Sequence, residues 1–475
     1  MNHSGIAAWA AQHPARRSSI RMVVLLMLLG SGIGLAVVFQ PRLVLYAAAG
    51  LGALGGLALA ALLVLRAPEL LFALYMSIGS FKATLLPLQA RLGFDLTVAL
   101  ALLLLLALAI RIVRSAGRTR FHWPTLLLYL LLAAWMAFSL IWSPDPAAGS
   151  DKLMRFATLT LLALLGPMAL VDSWPRLERF LWALFLLGMV FTARAVASLA
   201  LEGGWRRLET VLGADYLVLG QVCGLTALLG VYLLMDRDRR WWLRATTLAA
   251  VAASVLIVVI SGARGPLLAW TAAFAAPALF SWRPGKKALA AMGLMGAAVL
   301  LFAATWTLGL LPPQVTFRFE VALQALLLRD PQALQLFART TIWQAGWQSF
   351  QAHPLLGLGA GGYLLPMARF TVRYPHNLFL EAGAELGIVG LLLVLPLILL
   401  PLIRWRQCSK LQLHGRSRLL FDAVLAVSMF FFVGVLKSGD FNSNRTFWMS
   451  LGLLLSACLQ AKSTAEVSKS AGGEP

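Results

Sequence analysis

Met22–Phe39 reads MVVLLMLLGSGIGLAVVF and Leu391–Ile403 reads LLLVLPLILLPLI, and neither stretch holds an ionisable side chain. A helix rises about 1.5 Å per residue, so roughly 17–25 such residues cross the ~30 Å of hydrocarbon in a bilayer. Within lipid every backbone N–H and C=O must be satisfied inside the chain, which a helix does by itself. Blocks of this kind recur from end to end. The sequence is 60% hydrophobic and 12% charged, with a mean hydropathy of +0.81, which no soluble globule shows. Period-two alternation is weak, which argues against an outer-membrane barrel with its ten-residue strands. The fold class predicted is an all-α polytopic integral membrane protein.

About fourteen apolar segments can be drawn, starting near Met22, Leu43, Leu70, Phe94, Pro124, Leu153, Phe180, Tyr216, Ala245, Gly265, Ala288, Asn377, Leu419 and Thr446. The pairs at Leu43/Leu70 and Ala245/Gly265 are short or closely spaced, so the expectation is 12–14 transmembrane helices in a single transmembrane domain, 1–475. Either even count puts both chain ends on one side. Arg16, Arg17, Arg111, Arg114, Arg118, Arg120, Arg237, Arg239, Arg240, Arg283, Lys286, Lys287, Arg404, Arg406 and Arg416 crowd one set of loops. The excess of Lys and Arg in cytoplasmic loops makes that side, and both termini, cytoplasmic. The net charge of +21 is then mostly topology, and no nucleic-acid partner is expected. The first apolar segment has a basic flank but no small-residue cleavage site, so it reads as an uncleaved span. Cys223, Cys408 and Cys458 have no metal or disulfide spacing. Residues 462–475, polar and small, are expected to be a disordered cytoplasmic tail.

Polar residues that topology does not explain are the informative ones in such a chain. On the outer side they form four clusters: Arg206 and Arg207 in GGWRRLETVLGADY, Arg264 in SGARGP, a long loop at 311–376, and Asp440 with Arg445 in KSGDFNSNRTF. The loop shows helical spacing in VTFRFEVALQALLL and in ALQLFARTTIWQAGWQSFQ, where Trp343 and Trp347 lie four apart. Two amphipathic helices resting on the membrane surface are predicted, the second stopping at His353-Pro354 because the residue before proline resists the α region. GLGAGGY then reads as a flexible turn leading to Tyr374-Pro375-His376-Asn377. An arginine at a helix end is more often an interfacial anchor than a ligand. Arg264 stands apart because it faces the side that disfavours cations and has small neighbours.

HNLFLEAGAELGIVG, with His376, Asn377, Leu380, Glu385, Gly387 and Gly390, resembles the signature of the bacterial O-antigen ligase and O-antigen polymerase superfamily. RTTIWQAGWQSFQAHPLLGLGAGGY, with Arg339, Trp343, His353 and Pro354, is similar to that family's large outer loop, and SGARGPLLAW and RRLETVLGADY to two earlier motifs. The resemblance spans roughly residues 200–400. Asp215 departs from it, standing where relatives more often show asparagine. It implies a GT-C-like fold in the bacterial inner membrane and glycan transfer on the periplasmic face. The implied donor is an O-antigen on undecaprenyl diphosphate. The acceptor is a hydroxyl of lipid A–core for a ligase, or a second lipid-linked glycan for a polymerase. It further implies an inverting, metal-independent enzyme without cofactor.

The residues themselves suit that chemistry. A departing diphosphate needs fixed cations or a metal, and the outer carboxylates Asp95, Asp145, Asp151, Glu202, Glu209, Asp215, Glu320, Asp330, Glu381, Glu385 and Asp440 are dispersed along the chain. Arg206, Arg207 and Arg264 are the expected diphosphate ligands, since guanidinium forks grip phosphate oxygens in pairs. His376 is the expected base for the attacking hydroxyl. Pro375 stiffens the backbone beside it, and Asn377 or Glu385 is placed to orient its ring. Arg339, His353, Tyr374 and Asp440 complete the candidate set. A transporter of a lipid-linked or anionic substrate is the alternative from another class. It predicts symmetric halves with helices broken at the midplane, and the sequence shows no internal repeat.

Overall fold

The computed structural model describes residues 55–81, 95–115, 121–201, 216–236, 239–261, 263–280, 338–366 and 371–471, with single positions at 85–93 and 296–324. Contacts divide the chain into two units, Met1–Arg66 and Ala67–Pro475. In the first, the described residues form a helix, Gly55–Arg66.

The second unit is helical. Its described helices are α1 (Pro68–Ser77), α2 (Leu96–Arg114), α3 (Trp123–Ser139), α4 (Pro146–Arg155), α5 (Leu161–Leu170), α6 (Trp174–Leu201) and α7 (Tyr216–Leu234). They continue with α8 (Trp241–Ile260), α9 (Arg264–Phe280), α10 (Ala338–Ala352), α11 (Leu378–Cys408), α12 (Gly415–Val435) and α13 (Arg445–Ala471). A two-residue antiparallel ladder, β1 (Leu365–Pro366) with β2 (Thr371–Val372), sits between α10 and α11. Among the described residues seven helices are long and apolar enough to cross a membrane. Helices lie close to the expected starts from Leu70 to Gly265 and from Asn377 to Thr446, while the starts near Met22, Leu43 and Ala288 fall outside the described residues. Leu102, Leu106 and Val113 of α2 are exposed, as lipid-facing side chains are.

α4 and α5 are joined by a π-helical turn at Phe156–Thr160, so the pair runs as one span, Pro146–Leu170. The wider turn leaves the Phe156 carbonyl able to accept a second bond, from Tyr129 Oη at 2.7 Å. The Tyr129 and Phe156 rings stack at 4.3 Å, and Trp448 of α13 closes on Phe156 at 5.7 Å. This aromatic core joins α3, the π-helical turn before α5, and α13.

Two ends of the bundle differ in their polar residues. At one, Arg111 and Arg176 hold Asp172, and Arg239 and Arg416 meet Glu178 and Asp236. Asp236, from the only D-x-D in the sequence, is thereby tied into ion pairs. At the other end lie His376, Lys152, Lys437 and Asp440.

The predicted disordered tail differs from what is seen. α13 runs on through Ala471, so 462–471 is helical. Ala, Lys and Glu are good helix formers, and a span already nucleated propagates into them at little cost.

Candidate active site

α11 is broken. Gly387 has φ 65° and ψ −160° inside the helix, a left-handed setting that disfavours any side chain. Any Cβ there would also strike the Leu355 carbonyl. The break frees backbone groups, and four of them find partners outside the helix. Leu358 N donates to Ala384 O at 2.9 Å, Gly359 N to Glu385 O at 2.8 Å, and Trp135 Nε1 to Leu386 O at 3.0 Å. Ile388 N donates in return to Pro354 O at 2.8 Å. Within a membrane protein such pairing is what allows a helix to be interrupted.

GLGAGGY therefore is not a flexible turn. Residues 357–363 are buried or nearly so, docked into the break in α11.

Above the break, α11 begins at Asn377. Its Oδ1 accepts from Phe379 N and Leu380 N at 3.0 and 3.1 Å, an N-cap, and its Nδ2 donates to Leu436 O at 2.9 Å. Both ends of the amide are thus engaged, and neither orients the imidazole. Glu385 does not either. Its carboxylate accepts from Lys152 Nζ at 2.8 and 2.7 Å and from Gly361 N at 3.0 Å. Glu381, one turn earlier, accepts from the same ammonium at 2.7 Å. All three side chains are buried, with Lys152 7% exposed.

What sets the ring instead is backbone. His376 has φ 56°, the one non-glycine residue with positive φ among those described. Histidine tolerates this region better than most residues, and strain of this kind collects at functional positions. The Tyr374 ring meets the imidazole edge-on at 4.6 Å. His376 Nδ1 is buried without a hydrogen-bond partner. Burial first, and the Arg339 guanidinium second, push the His376 pKa below its ordinary value of 6.5, against an opposing pull from Asp440. The ring is neutral at neutral pH. Burial raises the Tyr374 phenol above its usual range, and the Asp440 charge adds to this.

Arg339 donates from Nη1 to Lys437 O. The connection between α12 and α13 is thereby tied to α10, and through Leu436 O to Asn377. In that connection Asp440 Oδ1 accepts from Asn442 N and Ser443 N. Arg339, Tyr374, His376, Asn377 and Asp440 therefore meet at one place. Arg264 opens α9, and the next residue, Gly265, lies against the Lys437 side chain. His353 stands apart: its side chain is exposed and α10 ends at Ala352, so it closes the helix. Arg206 and Arg207 lie outside the described residues, as does most of the first amphipathic segment of the 311–376 loop.

Residues 248–395 match the family described as O-antigen ligase. Over these residues, about a third of its length, the chain is similar to that family. The match runs from within α8 into α11 and includes Arg264, Arg339, His353, Tyr374, His376, Asn377 and Glu385. Arg206 and Arg207 precede it, and Lys437 and Asp440 follow it. Among curated proteins, none matches the chain. Two residues of the candidate site were hidden in the sequence. Lys152 looks like an interfacial lysine ahead of an apolar run. Two carboxylates one turn apart in an apolar helix were the available signal that a buried cation must face them. Lys437 ends an apolar run, at the end of the bundle that also holds His376 and Asp440.

Proposed function

We propose that the chain is an O-antigen ligase of the bacterial inner membrane. It moves polysaccharide from undecaprenyl diphosphate to a sugar hydroxyl of lipid A–core on the periplasmic face, with inversion and without a metal. The observation that carries this reading is the neutral, half-buried His376, held by its backbone at the mouth of α11 with cations around it. The acceptor oxygen attacks the anomeric carbon as its proton passes to the imidazole. The bond from that carbon to the diphosphate breaks, and the electron pair leaves with the diphosphate oxygen. Arg206, Arg207 and Arg264 meet the charge that develops there, worth a few kcal/mol of transition-state stabilisation. Among the described residues no three His, Cys, Asp or Glu side chains converge. Glu381 and Glu385, the carboxylates on the helix after His376, are both paired with the Lys152 ammonium.

Deleting the gene and running the lipopolysaccharide on a gel tests this. A ligase mutant shows bare core while lipid-linked polymer accumulates. Core carrying a single repeat unit would identify a polymerase instead, and an unchanged ladder contradicts both. In vitro, transfer by the purified protein persists in EDTA; activity lost to EDTA and restored by Mg²⁺ or Mn²⁺ contradicts the arginine mechanism.

A further inference from the structure

Lys437 lies in the connection after α12. Its carbonyl is held by Arg339, and its neighbour Leu436 by Asn377, so the groups flanking His376 fix its position. Its side chain runs to the first turn of α9. There Nζ and Cε lie so close to Gly265 that a Cβ at that residue would overlap both. Glycine is needed for the ammonium to reach this spot, directly beside Arg264.

The ammonium is largely buried, and among the described residues no carboxylate pairs with it. Burial first, and Arg339 second, push its pKa down to about 8, so at neutral pH it is still mostly protonated. A desolvated cation next to another cation is unfavourable, and an arriving anion relieves it. The surroundings say which kind of anion. Lys437, Ser438 and Asn444 line a narrow cleft with room for about one water, ≈ 20 Å³, and Gln221 forms part of its wall. Gln221 also lines a mainly apolar cavity of ≈ 330 Å³, walled by Phe81, Leu184, Val222 and Met449. A ligand with an anionic head and an apolar chain suits this pairing better than a free anion.

We propose that Lys437 is a further diphosphate-binding residue, its ammonium gripping the diphosphate of the lipid-linked donor beside Arg264. This rests on the donor assigned above. Arg264 supplies a fixed fork, and Lys437 a compact point charge on a flexible stem that can follow the diphosphate as it departs.

The purified full-length protein, in detergent, is titrated with farnesyl diphosphate and separately with inorganic pyrophosphate. Wild type binds farnesyl diphosphate more tightly than pyrophosphate. Lys437→Met weakens farnesyl diphosphate binding by about ten- to a hundred-fold, as expected for loss of a charged hydrogen bond. Unchanged affinity in Lys437→Met, with Arg264→Gln impaired, overturns the role of Lys437 and leaves the donor reading standing. No binding of farnesyl diphosphate by wild type overturns the donor reading and the proposal with it. Equal affinity for the two probes overturns the lipid-linked source. If Lys437→Met does not fold, amine methylation of wild type decides. Labelling of Lys437 slowed about ten-fold by farnesyl diphosphate supports the proposal, and labelling not slowed overturns it.

Discussion

Lys152 grips Glu385 by both carboxylate oxygens, at 2.8 Å to Oε1 and 2.7 Å to Oε2, from a helix more than two hundred residues earlier. Through Glu381 it also holds the first turn of α11, and its carbonyl accepts from Asn442 Nδ2 at 2.9 Å. One buried lysine thus fastens α4, α11 and, through its carbonyl, the loop that carries Asp440.

Removing it leaves two carboxylates in a dry interior. Breaking a buried pair from one side costs about 3–5 kcal/mol, so Lys152→Met should sharply lower the unfolding temperature of the purified protein. Glu381→Gln should cost less, because Glu381 Oε2 already lacks a partner. A Lys152→Met protein as stable as wild type would show that the pair is not holding the site.

Gly387→Ala probes the broken helix. A side chain at φ 65°, ψ −160° costs on the order of 1–3 kcal/mol, and the clash with the Leu355 carbonyl adds to it. Thermal unfolding should report that loss, along with faster hydrogen exchange at Leu358 and Gly359. Unaltered exchange at those two amides would mean the loop does not depend on the break.

The pH dependence of transfer carries a definite sign. A base works only when neutral, so rate falls as pH drops through the His376 pKa, and the depressed value places that limb below 6.5. Arg339→Gln removes a nearby cation, raises the pKa and moves the limb to higher pH. Asp440→Asn removes a nearby anion, lowers the pKa and moves it the other way. Single-turnover rates from pH 5 to 8 measure both, and shifts of the same sign would contradict the assignment.

Arg264→Lys keeps the charge but loses the paired fork. Turnover should fall well below wild type, with weaker donor binding. Near-normal turnover would make Arg264 an anchor rather than a ligand.

The apolar periodicity made the helices and their starts legible, because length and hydropathy alone specify a span. His376 was legible as a polar residue at a helix mouth, but its geometry was not. No local pattern shows that a histidine adopts φ 56°, nor that the following helix unwinds at Gly387. Both depend on a loop brought in by tertiary packing. The same holds for Lys152, whose partners Glu381 and Glu385 were visible without it. Asn377, expected to orient the ring, instead caps α11.

His376→Ala, measured for donor affinity and for single-turnover transfer on one purified preparation, tests the central claim most directly. The arginines and Lys437 remain, so farnesyl diphosphate affinity should change little, while transfer slows by roughly 10²–10⁴. Transfer by His376→Ala at a rate near wild type would contradict the account, leaving His376 a structural residue at the start of α11.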